Sequence, residues 1–133
     1  IAPPAPEPAG LMVNVRVEVT LSDSKGSPRT LTMTVADGES GMNRTRSMQG
    51  SVDYSFNADA RPRVTGNRVR LRITADAVVP VDGPKTAEAP SKLGLSQSQA
   101  IILNDGESVE IARAADPASD RVFVLTVKAS IIR

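Results

Sequence analysis

From Leu11 the sequence alternates strictly, with Val13, Val15, Val17, Val19 and Leu21 on one face and Asn14, Arg16, Glu18 and Thr20 on the other. A period of two in β-branched residues is the strongest strand signal a sequence offers, because successive side chains of a strand point to opposite faces. Leu31, Met33 and Val35 repeat the pattern beyond SDSKGSPR, where Gly26 and Pro28 break the chain, and Asp37-Gly38 ends that second strand. Residues 41–50 are polar and weakly patterned, and read as a flexible loop. Val52, Tyr54 and Phe56 open another strand running to about Val64, and Pro62, which lacks an amide proton, puts it at an edge or a bulge.

Thr65-Gly66-Asn67 is a tight hairpin signal. After it Val69, Leu71 and Ile73 share one face, opposite Arg68, Arg70 and Arg72. Residues 80–94, with three prolines and two glycines, form the longest expected loop. Strands resume over 99–103, turn at Asn104-Asp105-Gly106 and continue through Val109 and Ile111. A loop across Asp116-Pro117 leads to a closing strand, 122–132. Seven or eight short strands with turn signals between them, and no segment of helical period, predict an all-β fold. An antiparallel sandwich or a partly closed barrel is the expected form. Asp-Gly-Glu-Ser occurs twice, at 37–40 and 105–108, and two strands needing the same tight turn account for it.

Composition narrows the function. With 133 residues, 40% of them hydrophobic, the chain is sized for one domain with one core, expected over 11–133. Tyr54, Phe56 and Phe123 are its three aromatic residues, so the core is built from aliphatic side chains, and stacking sites for sugars or bases have little to work with. The absence of His and Cys removes thiol nucleophiles, imidazole-based triads and most transition-metal sites. A net charge of +1, spread along the chain, gives no basic block for nucleic acid. No run of apolar residues is long enough to span a membrane as a helix. The chain opens on Ile1, as a processed or excised fragment would. Its Pro- and Ala-rich residues 1–10 read as a linker or as a segment following a cleaved signal peptide.

The acidic pairs Asp37/Glu39 and Asp105/Glu107 are candidates for acid–base work, but both sit in turns, where Asp serves the backbone. Asp116, Ser119 and Asp120 lack the alternating oxygen ligands around a Gly that a calcium loop needs, so no metal is expected. No Gly-rich loop precedes a Lys-Ser or Lys-Thr, which leaves nucleotide binding and any other cofactor without support. Arg68, Arg70 and Arg72, with Arg61 and Arg63 on the preceding strand, form either a basic ribbon for phosphates or an acidic partner, or a solvated face that blocks edge-to-edge aggregation.

Taken in order from Leu31, the segments TLTMTVADGES, VDYSFNADARPRVTGNRVRLRIT, SQSQAIILNDGESVEI and VFVLTVKASII resemble the core β-domain of bacterial secretins, the ring-forming channels of type II and type III secretion and type IV pili. The resemblance covers about a hundred residues. Ala112 and Arg113 stand where that family carries paired glycines, ARAADPASDR replaces its channel-wall stretch, and no Pro interrupts the last strand. Outward positions carry Arg, Glu and Asp, which argues against a membrane pore. The resemblance implies an exported, non-enzymatic domain of the bacterial periplasm or cell envelope, acting by self-association or by binding a protein partner. Arg68, Arg70 and Arg72 are the first candidate contacts, with Tyr54 and Phe56 as apolar anchors. The alternatives are a monomeric ligand-binding sandwich attached to a larger surface protein and, last, a hydrolase using Ser with Lys or the paired carboxylates.

Overall fold

The computed structural model describes residues 13–24, 28–49, 52–80, 92–115 and 121–133, less the side chains of 47–49, 52–54, 80, 92 and 93. These residues form eight strands: β1 (Asn14–Asp23), β2 (Arg29–Ala36), β3 (Gly41–Gln49), β4 (Val52–Thr65), β5 (Arg68–Pro80), β6 (Lys92–Asn104), β7 (Ser108–Ala115) and β8 (Val122–Ile132). They build two antiparallel four-stranded sheets, ordered β2-β1-β8-β7 and β3-β4-β5-β6. The sheets stack as a sandwich and do not close into a barrel, which decides between the two expected forms. The expected linker 1–10 and the Asp116–Asp120 loop lie outside the described residues.

Alternation puts the core where the sequence placed it. Val15, Val17, Val19 and Leu21 of β1 and Val69, Leu71, Ile73 and the alanines of β5 turn into one shared core, with Phe56 and Phe123 as its largest buried side chains. Small residues sit beside large ones along the ladders, as in Phe56 opposite Ala77 and Val17 opposite Ala129, so the layers interdigitate without aromatic bulk.

Three expectations need correction. Residues 41–50 are not a loop, because 41–49 form β3, paired with β4 from Gly41↔Ala60 to Gln49↔Val52. Gly41, Asn43 and Thr45, on the side facing away from Met42 and Arg44, are small or polar, so no apolar alternation announces the strand. That side is satisfied by hydrogen bonds, with Asn43 Nδ2 donating to Thr32 O (3.0 Å) and Thr45 Oγ1 to Phe56 O (3.1 Å). The loop expected over 80–94 is shorter at both ends, since Pro80 pairs with Lys92 and Gly94 with Val78 inside the β5–β6 ladder. Pro62 lies in an interior strand, yet in the part of β4 that runs past the end of β3. Its carbonyl accepts from Gly38 N (2.8 Å) on that side, where no ladder partner needs the amide proton it lacks.

The chain changes sheet twice, from β2 to β3 and from β6 to β7, each time through an Asp-Gly-Glu-Ser turn. Glu39 N bonds Ala36 O and Glu107 N bonds Asn104 O, both at 2.9 Å, around glycines at φ 80°, the geometry of a type II turn. The two turns also hold equivalent partners. Asp37 N donates to Val13 O, Gly38 N to Pro62 O, and Asp37 Oδ1 accepts from Val64 N at 2.7 Å. Asp105 N donates to Asn67 O, Gly106 N to Ala129 O, and Asp105 Oδ1 accepts from Ile131 N at 2.7 Å. The repeated tetrapeptide is therefore more than a shared turn. It marks the same place in two four-stranded halves, β1–β4 and β5–β8, related by an approximate two-fold axis.

Each Asp carboxylate holds the amide of a strand in the sheet that the chain is about to enter. Replacing Asp37 or Asp105 by Ala should cost about 0.5–1.5 kcal/mol, the net value of one such hydrogen bond, whereas Glu39→Ala should be near neutral. Chemical denaturation of the three variants checks this, and equal effects at all three would show that the carboxylate bonds are not what secures the crossing. Gly41 is constrained differently. A Cβ there would lie 2.5 Å from Cγ2 of the buried Val35, so Gly41→Ala should destabilise by about 1–3 kcal/mol through overpacking.

Candidate functional site

Among the described residues no buried side-chain nitrogen or oxygen lacks a hydrogen-bond partner, and no group of His, Cys, Asp or Glu is placed to hold a metal ion. The carboxylates singled out in the sequence serve the turns. Asp37 and Asp105 cap strand amides as above, and Glu107 Oε2 accepts from Asn104 Nδ2 at 2.9 Å. Neither pair is set around a cleft.

The arginines are brought together. Gly66, at φ 62° and followed by an Asn with ordinary negative φ, makes the two-residue turn of the II′ type that joins β4 to β5. With Phe56, Ala58, Ala60 and Pro62 of β4 turned inward, Arg61 and Arg63 emerge on the outer face. Val69, Leu71 and Ile73 of β5 do the same for Arg68, Arg70 and Arg72. Register then sets Arg61 directly opposite Arg72 and Arg63 directly opposite Arg70. All five arginines are exposed, and no hydrogen bond or ion pair to another described residue holds any of them. Directly opposed like charges are unfavourable in a sheet, by roughly 0.2–1 kcal/mol per pair.

Two concavities run along this face. One of about 260 Å³ is lined by Gly38, Arg61, Pro62, Arg63, Arg70 and Arg72. The other, about 630 Å³, shares Arg61 and Arg72 and extends over Met42, Thr74 and Ser98. Thr74 and Ser98 hydroxyls are bonded to each other at 3.1 Å. The exposed large aliphatic side chains among the described residues, Met42 (61%) and Ile102 (65%), flank the arginines from β3 and β6.

Two expected anchors behave differently. Phe56 is 2% exposed and belongs to the core, so it is withdrawn as a contact: its phase in β4 is that of Ala58 and Ala60. Tyr54 pairs with Ser47 in the ladder, and its side chain lies outside the described residues.

One polar cluster escaped sequence reading. Arg121 Nε donates to both oxygens of Asp23 (2.9 and 3.0 Å), its Nη2 also bonds Asp23 Oδ2, and its guanidinium lies 5.1 Å from the Phe123 ring centroid. Ser24 N bonds Val122 O beside it, which closes that end of the β1–β8 ladder. The partners are 98 residues apart, and nothing local in the sequence marks them. Its place at a ladder end makes this pair structural.

No family model and no curated protein matches the chain. Among solved structures it is similar to the secretin InvG of the Salmonella SPI-1 type III secretion injectisome. A near-atomic cryo-EM structure of InvG aligns at 9% identity with a TM-score of 0.47, over 92% of this chain and 62% of that one. A model of the basal body proteins InvG, PrgH and PrgK aligns at 9% identity and 0.47, over 92% of this chain and 44% of that one. The InvG secretin domain β-barrel aligns at 9% and 0.42, over 90% of this chain and 57% of that one. The chain spans less than two thirds of the length of each of these structures.

If the opposed arginines repel as their register implies, Arg72→Glu, which sets a carboxylate against Arg61, should stabilise the domain by up to about 1 kcal/mol. The gain should shrink as salt is raised. Urea melts at low and high ionic strength measure both, and a destabilised variant would show that the arginines are already accommodated.

Proposed function

We propose that this chain is a non-enzymatic domain of the bacterial cell envelope that works by association, pairing through a sheet edge with further copies of itself or with a protein partner. The observation that carries the reading is the character of β6. A sheet edge offers unpaired backbone donors and acceptors, and proteins ordinarily blunt such edges with charge, shortness or a bulge. β2 is eight residues long with Arg29 at one end, β3 carries Arg44 and Arg46, and β7 carries Glu110 and Arg113 with a register shift between Glu110 and Ala112. β6 runs thirteen residues, and beyond Lys92 it has no charge, no proline and no bulge against β5. Such a strand suits β-augmentation, in which main-chain hydrogen bonds give affinity and alternate side chains give selectivity.

Secretin-like segment order and the Pro-rich residues 1–10 support an exported, envelope-located protein. No helix among the described residues is long and apolar enough to cross a membrane. A second reading, a monomeric ligand-binding module of a larger surface protein, draws on the concave outer face of the β3-β4-β5-β6 sheet.

Light scattering of the chain across a wide concentration range tests the first reading. A mass that rises with concentration, and falls back toward the monomer in Ile102→Lys, is expected for association along β6. A strict monomer at every concentration would remove self-assembly and leave the partner and ligand readings. A mass that rises equally in Ile102→Lys would move association to another surface.

A further inference from the structure

The two halves of the sandwich provide an internal control for the arginine face. Thr65↔Arg68 of the β4–β5 ladder corresponds to Ile132↔Asn14 of the β8–β1 ladder. This correspondence is fixed by Asp37 on Val64 and Asp105 on Ile131, and by Gly38 on Pro62 and Gly106 on Ala129. Stepping along both ladders, Arg63↔Arg70 falls where the other half has Ser130↔Arg16, and Arg61↔Arg72 falls where it has Lys128↔Glu18. One half thus places an acid opposite a base and a hydroxyl opposite an arginine. The other half places four arginines in the same four positions. Nothing in the shared architecture requires that quartet, since its counterpart does without it.

From this we infer that Arg61, Arg63, Arg70 and Arg72 form a binding site for a compact multivalent oxyanion of the phosphate class, a function separate from association along β6. Guanidinium forks bind phosphate oxygens through paired, charge-assisted hydrogen bonds, and four forks around one concavity match several anionic oxygens on one small ligand. That concavity, about 260 Å³, is open to solvent and shares Arg61 and Arg72 with the larger one. Linked phosphates bring several anionic oxygens together on one small ligand, the charge density that four neighbouring forks match. An acidic peptide spreads its carboxylates along a backbone and presents a lower density. A membrane surface is disfavoured too, because the exposed large aliphatic residues, Met42 and Ile102, stand on opposite edge strands and form no contiguous apolar band. An occupied site would also account for the opposed charges. The ligand's negative charge replaces the missing carboxylates, so repulsion in the empty protein becomes attraction in the complex.

Inorganic triphosphate is the probe, titrated into the whole chain by calorimetry at low ionic strength, with pyrophosphate and orthophosphate in parallel. Expected are one site per chain, affinity rising from orthophosphate to triphosphate, and weakening as salt is raised. Arg63→Gln and Arg70→Gln should each weaken triphosphate at least roughly tenfold, the effect of losing one charge-assisted contact. Arg16→Gln removes the same charge from the equivalent place on the other sheet and should leave binding within about twofold. Thermal melts show whether each variant is folded, and loss of binding without loss of melting temperature is the supporting result. The inference is overturned by no heat and no thermal shift with triphosphate, or by equal weakening in Arg16→Gln, which would mark diffuse charge attraction. It is equally overturned if phosphatidylglycerol vesicles or an acidic peptide bind this face and triphosphate does not displace them.

Discussion

Everything in this fold depends on the chain crossing between sheets at two places only. Five of the seven strand-to-strand connections stay within one sheet, so the sandwich is held to a single arrangement by the two Asp-Gly-Glu-Ser turns. Each turn does three things with a few atoms. Its glycine takes a φ that side chains resist, its backbone amides seek carbonyls on both sheets, and its Asp carboxylate holds an amide of the sheet ahead. Because that amide belongs to β4 in one crossing and β8 in the other, and the Asp amide bonds Val13 in one and Asn67 in the other, each turn ties the last strand of its half to the residue that opens it. The approximate two-fold symmetry follows from using one solution twice.

That economy explains how much could be read from sequence. Strands with one face in the core, such as β1, β5 and β8, announce themselves because burial demands an apolar residue at every second position. β3 stayed hidden because its inner side meets the flank of the sandwich. There Gly41 is needed for close approach to Val35, and Asn43 and Thr45 bond to backbone carbonyls. Pro62 was read as an edge signal and sits in an interior strand, yet the physical point survives: its missing donor falls where the neighbouring strand has ended.

The candidate site was half legible. Alternation alone put Arg68, Arg70 and Arg72 on one face and the hairpin brought Arg61 and Arg63 alongside. What sequence could not supply was the register that opposes them in pairs, or that no carboxylate among the described residues is ion-paired with them. Phe56 shows the converse failure. An aromatic residue in a polar stretch looked available, and its phase along β4 placed it in the core. The Asp23–Arg121 pair joins residues at opposite ends of the chain, and only a folded ladder makes them neighbours.

The edge and the arginine face are adjacent, and this links the two proposed activities. Ile102 of β6 pairs with Arg70 in the ladder, so a strand added along β6 lies two strand spacings, about 10 Å, from the β5 half of the quartet. In the empty protein the incoming strand meets a concentrated positive field. A bound polyanion reduces that field, and with a Debye length of about 8 Å at physiological ionic strength the change reaches the added strand only in attenuated form. Neutralising the quartet should therefore favour association along β6 whenever the added strand is itself basic or neutral. Reciprocity then requires association to favour the anion by the same factor. A basic partner edge is available in the chain itself, since β3 carries Arg44 and Arg46. Pairing β6 of one copy with β3 of the next is one homotypic contact in which the anion and the assembly reinforce each other.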